Sequence, residues 1–185
     1  MKRLLLSTVL IALLVPAATY CQRLGIRAGV LDPEGFEMTF TYGGFGSYQV
    51  SRYLEIEAGI DYWGKDREHS YYDPYGQYGY RSESSASDLS FSTYTKYTVP
   101  LNGEEFIVGI GAGFGAHFVS TRELYMEGGM VVSDRKDSAT HPGMHFLVEG
   151  SAPLSSEFKV STRFKMGAVP DLFRVDLTTA LAFKL

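Results

Sequence analysis

The chain is predicted to be all-β, folded as an eight-stranded antiparallel up-and-down transmembrane β-barrel. Three observations carry this expectation. The C-terminal segment alternates strictly, with Val175, Leu177, Thr179, Leu181, Phe183 and Leu185 on one face and Arg174, Asp176, Thr178, Ala180, Ala182 and Lys184 on the other. A two-faced strand that runs flush to the last residue suits barrel closure. The same alternation recurs along the chain, and beyond the N-terminal leader no stretch is apolar enough for a spanning helix. Mean hydropathy is near zero, as expected where lipid-facing and lumen-facing residues cancel in any window.

The first 21 residues read as a secretion signal, cleaved near Tyr20 to Gln22, so the barrel domain is assigned to residues 22–185. Lys2 and Arg3 form a basic head, Leu4 to Val15 an apolar core too short to span, and Pro16-Ala17-Ala18 a small-residue exit. Cys21 is the single cysteine, so no internal disulfide is possible. The bulky Tyr20 before it argues against lipidation. Of the 17 basic residues two lie in the leader, and of the 21 acidic residues none do. The remainder carries 15 basic against 21 acidic residues, which argues against nucleic acid as a partner.

The strands follow in order. Leu24, Ile26, Ala28 and Val30 alternate with Arg23, Gly25, Arg27 and Gly29, and Asp32-Pro33-Glu34-Gly35 turns the chain. Met38, Phe40, Tyr42, Tyr48 and Val50 then oppose Thr39, Thr41, Gly43, Ser47 and Gln49. After a tight turn at Arg52, Leu54, Ile56, Ala58, Ile60 and Tyr62 oppose Glu55, Glu57, Gly59 and Asp61. Residues 65–87 read as a long polar loop. The fourth strand sets Leu89, Phe91, Tyr97 and Val99 against Ser90, Ser92, Tyr94, Lys96 and Thr98, and Asn102-Gly103 supplies a tight hairpin. In the fifth, Phe106, Val108, Ile110, Ala112, Phe114, Ala116 and Phe118 alternate with Ile107, four glycines and His117. A second long loop is expected over about 120–141. Met144, Phe146 and Val148 then oppose His145, Leu147 and Glu149. Phe158, Val160, Thr162, Phe164 and Met166 oppose Lys159, Ser161, Arg163 and Lys165, and Pro170-Asp171 leads to the last strand. Short turns alternating with longer loops place both termini in the periplasm.

The polar faces hold Arg27, Glu55, Glu57, Asp61, Lys96, Glu149, Lys159, Arg163, Lys165 and Asp176. Eight strands enclose a bore that side chains can fill, and charges there must pair because isolated buried ions are costly. Hairpin register suggests Gln49 opposite Glu55, Glu149 opposite Lys159, and Asp176 beside Arg163 or Lys165. Such a set of charges either plugs the lumen or lines an ion path. Gly109-Ile110-Gly111-Ala112-Gly113 contains a GxG repeat, but glycine falls on every second residue of a long strand, and no helix starts there. The glycines instead make room for a large neighbour such as Tyr94. His69 and His141 sit in outer loops, His117 and His145 on inward faces, and no zinc-ligand spacing appears. His117 and Ser120 are an odd number of residues apart and so lie on opposite faces. No catalytic, cofactor or metal site is expected. The segment from Tyr71 through Tyr72, Tyr75 and Tyr78 to Tyr80 serves either as a recognition surface or as part of the aromatic girdle.

The run Tyr48 to Gly59, the stretch Lys96-Tyr97-Thr98-Val99-Pro100-Leu101, the glycine ladder Gly109 to Gly115 and the C-terminal strand together resemble the small outer membrane β-barrel family of the OmpA, OmpX and OmpW type. The resemblance spans the chain after its leader. It implies a bacterial outer membrane location, contact with outer membrane lipid, insertion by the barrel-assembly machinery, and no peptidoglycan-binding half after the barrel. The family often ends in Phe; here Leu185 is last and Phe183 stands two before it. Three functions are open: a non-enzymatic structural or surface-interaction barrel with a plugged lumen, a narrow channel for ions or small hydrophobic molecules, and, least supported, a lipid-modifying enzyme.

Overall fold

The computed structural model describes residues 22–33, 37–71, 79–101, 105–169 and 172–185. The proposed leader, Cys21, and Tyr72, Tyr75 and Tyr78 lie outside the described residues, as do the turns at 34–36, 102–104 and 170–171. Eight strands follow in chain order: β1 Arg23–Pro33, β2 Thr39–Ser51, β3 Leu54–Tyr71, β4 Tyr80–Leu101, β5 Phe106–Glu127, β6 Met130–Pro153, β7 Phe158–Val169 and β8 Leu172–Lys184. Each pairs antiparallel with its sequence neighbours, and the ring is a closed barrel. Closure runs from Arg23↔Lys184 to Pro33↔Arg174 between β1 and β8, and Leu185 N–H donates to the Gln22 carbonyl at 3.0 Å. A closed ring leaves no unpaired backbone in hydrocarbon.

Alternation decides the two faces. Ile110 and Phe114 are 63% and 68% exposed on the outside, whereas Glu57 and Tyr94 are 0% and 1% exposed within. This inverts the usual burial rule, as a lipid-facing surface requires. Aromatic pairs sit on the outer face, among them Tyr42–Tyr62 at 5.5 Å, Tyr53–Tyr97 at 6.0 Å and Phe158–Phe183 at 5.3 Å between ring centroids. Inside, the glycine ladder of β5 lets a large side chain lie against the wall. A Cβ on Gly113 would stand 2.6 Å from Tyr94 Cδ1.

Two of the expected loops are strand. Residues 65–71 continue β3, 80–87 begin β4, and 120–127 and 130–141 extend β5 and β6. The ladder runs without interruption from Leu54↔Tyr97 to Tyr71↔Tyr80 and reaches Glu127↔Met130 between β5 and β6. Beyond the lipid band both faces meet water, so the apolar alternation that marks a strand disappears while backbone pairing persists. The turn signal was present: Gly128 and Gly129 have φ of 57° and 82°, the conformation a tight hairpin needs. Above the barrel β6 has no described neighbour on its far side from Met130 to Gly143, because β7 joins only at Met144↔Ala168.

One register detail also differs. Between β6 and β7, Glu149 faces Arg163 and Lys159 faces Pro153, because the turn consumes more residues than a minimal hairpin. Between β2 and β3, Gln49 faces Glu55 as anticipated, with a bulge between Gln49 and Ser51 that absorbs Val50.

Candidate functional site

The interior is the chemically distinctive part of the molecule. It is filled by ionic side chains in stacked layers. Toward the termini, Glu55 on β3 meets Lys96 Nζ of β4 at 2.6 Å, with Arg23 and Lys159 each at 4.0 Å. One step further in, Glu57 accepts from cations on three other strands. Arg27 Nη1 of β1 is at 2.7 Å, Lys96 Nζ at 2.8 Å, and Arg163 of β7 is bidentate at 2.7 and 2.6 Å. Glu149 on β6 shares this centre, with Arg163 Nη2 at 2.5 Å, Lys96 at 3.4 Å and Lys159 at 3.7 Å. Asp61 of β3 takes both Arg27 and Lys165, and Lys165 also reaches Asp176 of β8 at 2.6 Å.

All ten charges expected in the lumen are therefore inside and in contact. Nine are buried, and the Lys159 side chain, at 12% exposure, sits at the rim. Of the two partners open to Asp176, the structure brings Lys165, opposite it in register. Lys159 lies near Glu149 across a diagonal, and Arg163 is the direct neighbour. Bidentate guanidinium–carboxylate geometry is the strongest form of such pairing. Arg27 also lies over the Phe45 ring at 5.3 Å, and Arg163 lies over Phe45 and Tyr94 at 5.8 and 5.9 Å.

A further layer joins the two inward-facing histidines to partners that alternation does not indicate. Asp88 Oδ2 on β4 accepts from Arg174 Nη1 of β8 at 2.5 Å and lies 2.8 Å from His117 Nδ1 of β5. His117 Nε2 lies 3.0 Å from His145 Nε2 of β6. Asp88 directly follows the segment that reads as a loop, and Arg174 is the first polar-face residue of a strand whose partner across the bore cannot be read from alternation. Above this layer Leu31, Trp63 and Ala86 cluster at 1%, 2% and 4% exposure. Several buried polar atoms around it, including His145 Nδ1, Arg174 Nε, Asp88 Oδ1 and Tyr94 Oη, have no hydrogen-bond partner among the described residues. Each buried carboxylate faces at least one cation, so the arrangement is one of charge pairing. Among the described residues no group of three or more His, Cys, Asp or Glu is placed to hold a metal ion.

Outside the barrel, Tyr80 stacks on Tyr125 at 6.1 Å near the hairpin ends. Arg122 is bidentate to Asp134 at 2.9 Å, and that hydrogen bond holds the Asp134 carboxyl below its usual range.

Solved structures share this architecture. Neisserial surface protein A superposes with a TM-score of 0.62 at 13% identity, covering 88% of this chain and 96% of its own. A major outer membrane protein of Thermus thermophilus gives 0.60 at 12% identity, covering 88% and 99%. The N-terminal β-barrel domain of Pseudomonas aeruginosa OprF gives 0.52 at 11% identity, covering 89% and 98%. No curated protein matches the sequence. A family model described as the outer membrane protein beta-barrel domain matches residues 4–172. With eight strands closed into a ring, an apolar exterior and a charged interior, the chain belongs to the outer membrane protein β-barrel domain family and resides in the bacterial outer membrane.

Proposed function

We propose that the protein is a non-catalytic outer membrane barrel with a sealed interior, whose contacts with other molecules are made by the hairpins standing beyond the lipid. One observation carries the sealed reading: cations from β1, β4 and β7 converge on the single carboxylate of Glu57. Side chains from opposite walls thus meet at the axis, where a hydrated ion would have to pass. Paired this way in a dry space, the charges are held by mutual attraction that water no longer screens.

The surface role is supported by the protruding sheet. Ser120 to Glu127 and its partner strand carry the sheet on for about 25 Å of strand length past Val119, at about 3.3 Å per residue. Met130, Val131 and Val132 at its tip are 73%, 59% and 59% exposed. In this reading the hairpins face outward, the termini and short turns face the periplasm, lipid contacts the aromatic exterior, and the barrel-assembly machinery inserts the chain. The test is single-channel recording of the refolded protein in a planar bilayer. The expected result is no steady conductance; a steady, ion-selective current would overturn the sealed reading and promote a narrow channel.

A further inference from the structure

The outer layer of the interior contains two imidazoles in direct contact, and the ionic layers do not need them. Counting the buried groups and Lys159, and leaving out Arg23, whose side chain is 30% exposed at the same rim, the carboxylates Glu55, Glu57, Asp61, Asp88, Glu149 and Asp176 are matched one for one. Their counterparts are Arg27, Lys96, Lys159, Arg163, Lys165 and Arg174. The interior is charge-balanced only while His117 and His145 are neutral. The hydrogen bonds permit one neutral assignment. His117 donates its Nδ1–H to Asp88 and accepts at Nε2 from His145 Nε2–H, at 2.8 and 3.0 Å. His145 Nδ1 is then a bare acceptor. It opens beside Arg174 Nε onto the space over Gly167, where a Cβ would stand 2.8 Å from the one and 3.2 Å from the other. Both atoms are buried and have no hydrogen-bond partner among the described residues.

We propose that His117 and His145 form a proton-operated latch: closed at neutral pH, and driven apart in mild acid so that the outer half of the interior opens to water while the carboxylate–guanidinium layers below stay shut. A proton added at His145 Nδ1 sets a donor against the Arg174 guanidinium. A further proton at His117 Nε2 sets N–H against N–H across the 3.0 Å contact. Each adds a positive charge to a balanced, poorly solvated layer. The groups facing the pair act in the same sense or are already committed. Lys165 of β7 and Arg174 of β8 repel the added charge. Asp88 of β4, Asp61 of β3 and Asp176 of β8 are held by Arg174, Arg27 and Lys165. Tyr94 of β4 contributes an aromatic wall 5.8 Å from His145, and His141 of β6 lies opposite His117 in register. Imidazole is the side chain whose ordinary titration falls between pH 5 and 8, whereas paired carboxylates release their cations only in stronger acid.

The molecule carries its own probe. Trp63 is the single tryptophan, 2% exposed, and pairs directly with Asp88 across the β3–β4 ladder. We would measure acrylamide quenching of its fluorescence in the refolded full chain in phosphatidylcholine vesicles. Between about pH 8 and about pH 5 the quenching constant should rise about twofold or more, because the opened layer, where imidazole meets water, takes up protons in that window while the closed layer resists them. His145→Gln keeps a neutral donor toward His117 and should stay flat, while His69→Gln should rise as the unmodified protein does. A flat response in the unmodified protein, or an unchanged rise in His145→Gln, overturns the latch. The latch rests on the sealed interior proposed above, and strong quenching at both pH values would overturn that reading and the latch together. Should His145→Gln not fold, ¹⁵N resonances of the unmodified histidines decide. Mutually dependent titrations of His117 and His145 support the pair, and two independent ordinary titrations overturn it.

Discussion

Glu57→Gln is the perturbation that most directly tests the interior. The side chain is fully buried, and four hydrogen bonds end on its two oxygens. Oε2 receives Lys96 Nζ and Arg163 Nη2, and Oε1 receives Arg27 Nη1 and Arg163 Nη1. Glutamine preserves the shape and one accepting oxygen. Its amide nitrogen replaces the other oxygen with a donor, so two charge-assisted bonds are lost and two cations face an N–H₂ group. At about 1.5–3 kcal/mol for each such bond, the gross loss is about 3–6 kcal/mol. That agrees with the roughly 3–5 kcal/mol found when one member of a buried ion pair is removed. The assay is urea unfolding in lipid vesicles, with the heat-modifiable gel shift of the folded barrel as an independent readout. Gln49, on the exposed turn end of β2, provides the comparison, and Gln49→Ala should change stability by no more than about 0.5 kcal/mol. If Glu57→Gln were as mild as Gln49→Ala, the layer would be wet and loosely paired, and the argument from convergence on one carboxylate would fail.

Other expectations concern the walls and the pairs. Ile110→Lys and Phe114→Lys, both on the lipid face, should each cost about 2–4 kcal/mol near the midplane, measured by the same urea titration. Val132→Lys at the protruding tip should be near neutral, and equal tolerance at the three sites would mean the faces are misassigned. A double-mutant cycle on Glu149 and Arg163, bonded at 2.5 Å, should return a larger coupling energy than one on Glu149 and Lys159, which are 3.7 Å apart at the rim; the reverse order would refute the observed register. Gly113→Ala should cost about 1–3 kcal/mol by overpacking, since the new Cβ would collide with the Thr93 carbonyl oxygen and stand 2.6 Å from Tyr94 Cδ1. Gly44→Ala, whose Cβ would find its nearest atom at 3.6 Å, should be tolerated, and equal costs at Gly44 and Gly113 would contradict the close approach of the Thr93 carbonyl and Tyr94 to the glycine wall.

Period-two alternation is a local property. From Leu24 to Leu185 it is enough to say which residues face lipid, how many strands cross, and that Arg27, Glu57 and Arg163 all point inward. It also carries the family resemblance, because the constraint of lipid on one side and a narrow bore on the other is written into each strand separately. Alternation does not say how far one strand is shifted against the next, and that shift decides which charges meet. Glu149 faces Arg163 and not Lys159 because of the length of one turn, and Glu57 bonds Arg163 across 106 residues of chain because the closed ring brings β3 and β7 to opposite sides of one axis. The inward positions of His117 and His145 are legible in the same alternation, but their pairing is not: Asp88, His117, His145 and Arg174 come from four strands and share no spacing in the chain. The hairpins above the membrane were hidden by another cause. Alternation reports the contrast between lipid and bore, and where water lies on both sides of the sheet that contrast vanishes. There backbone pairing, helped by contacts such as Arg122–Asp134 and Tyr80–Tyr125, holds the strands together, and it carries no alternating residue pattern apart from the turn at Gly128-Gly129.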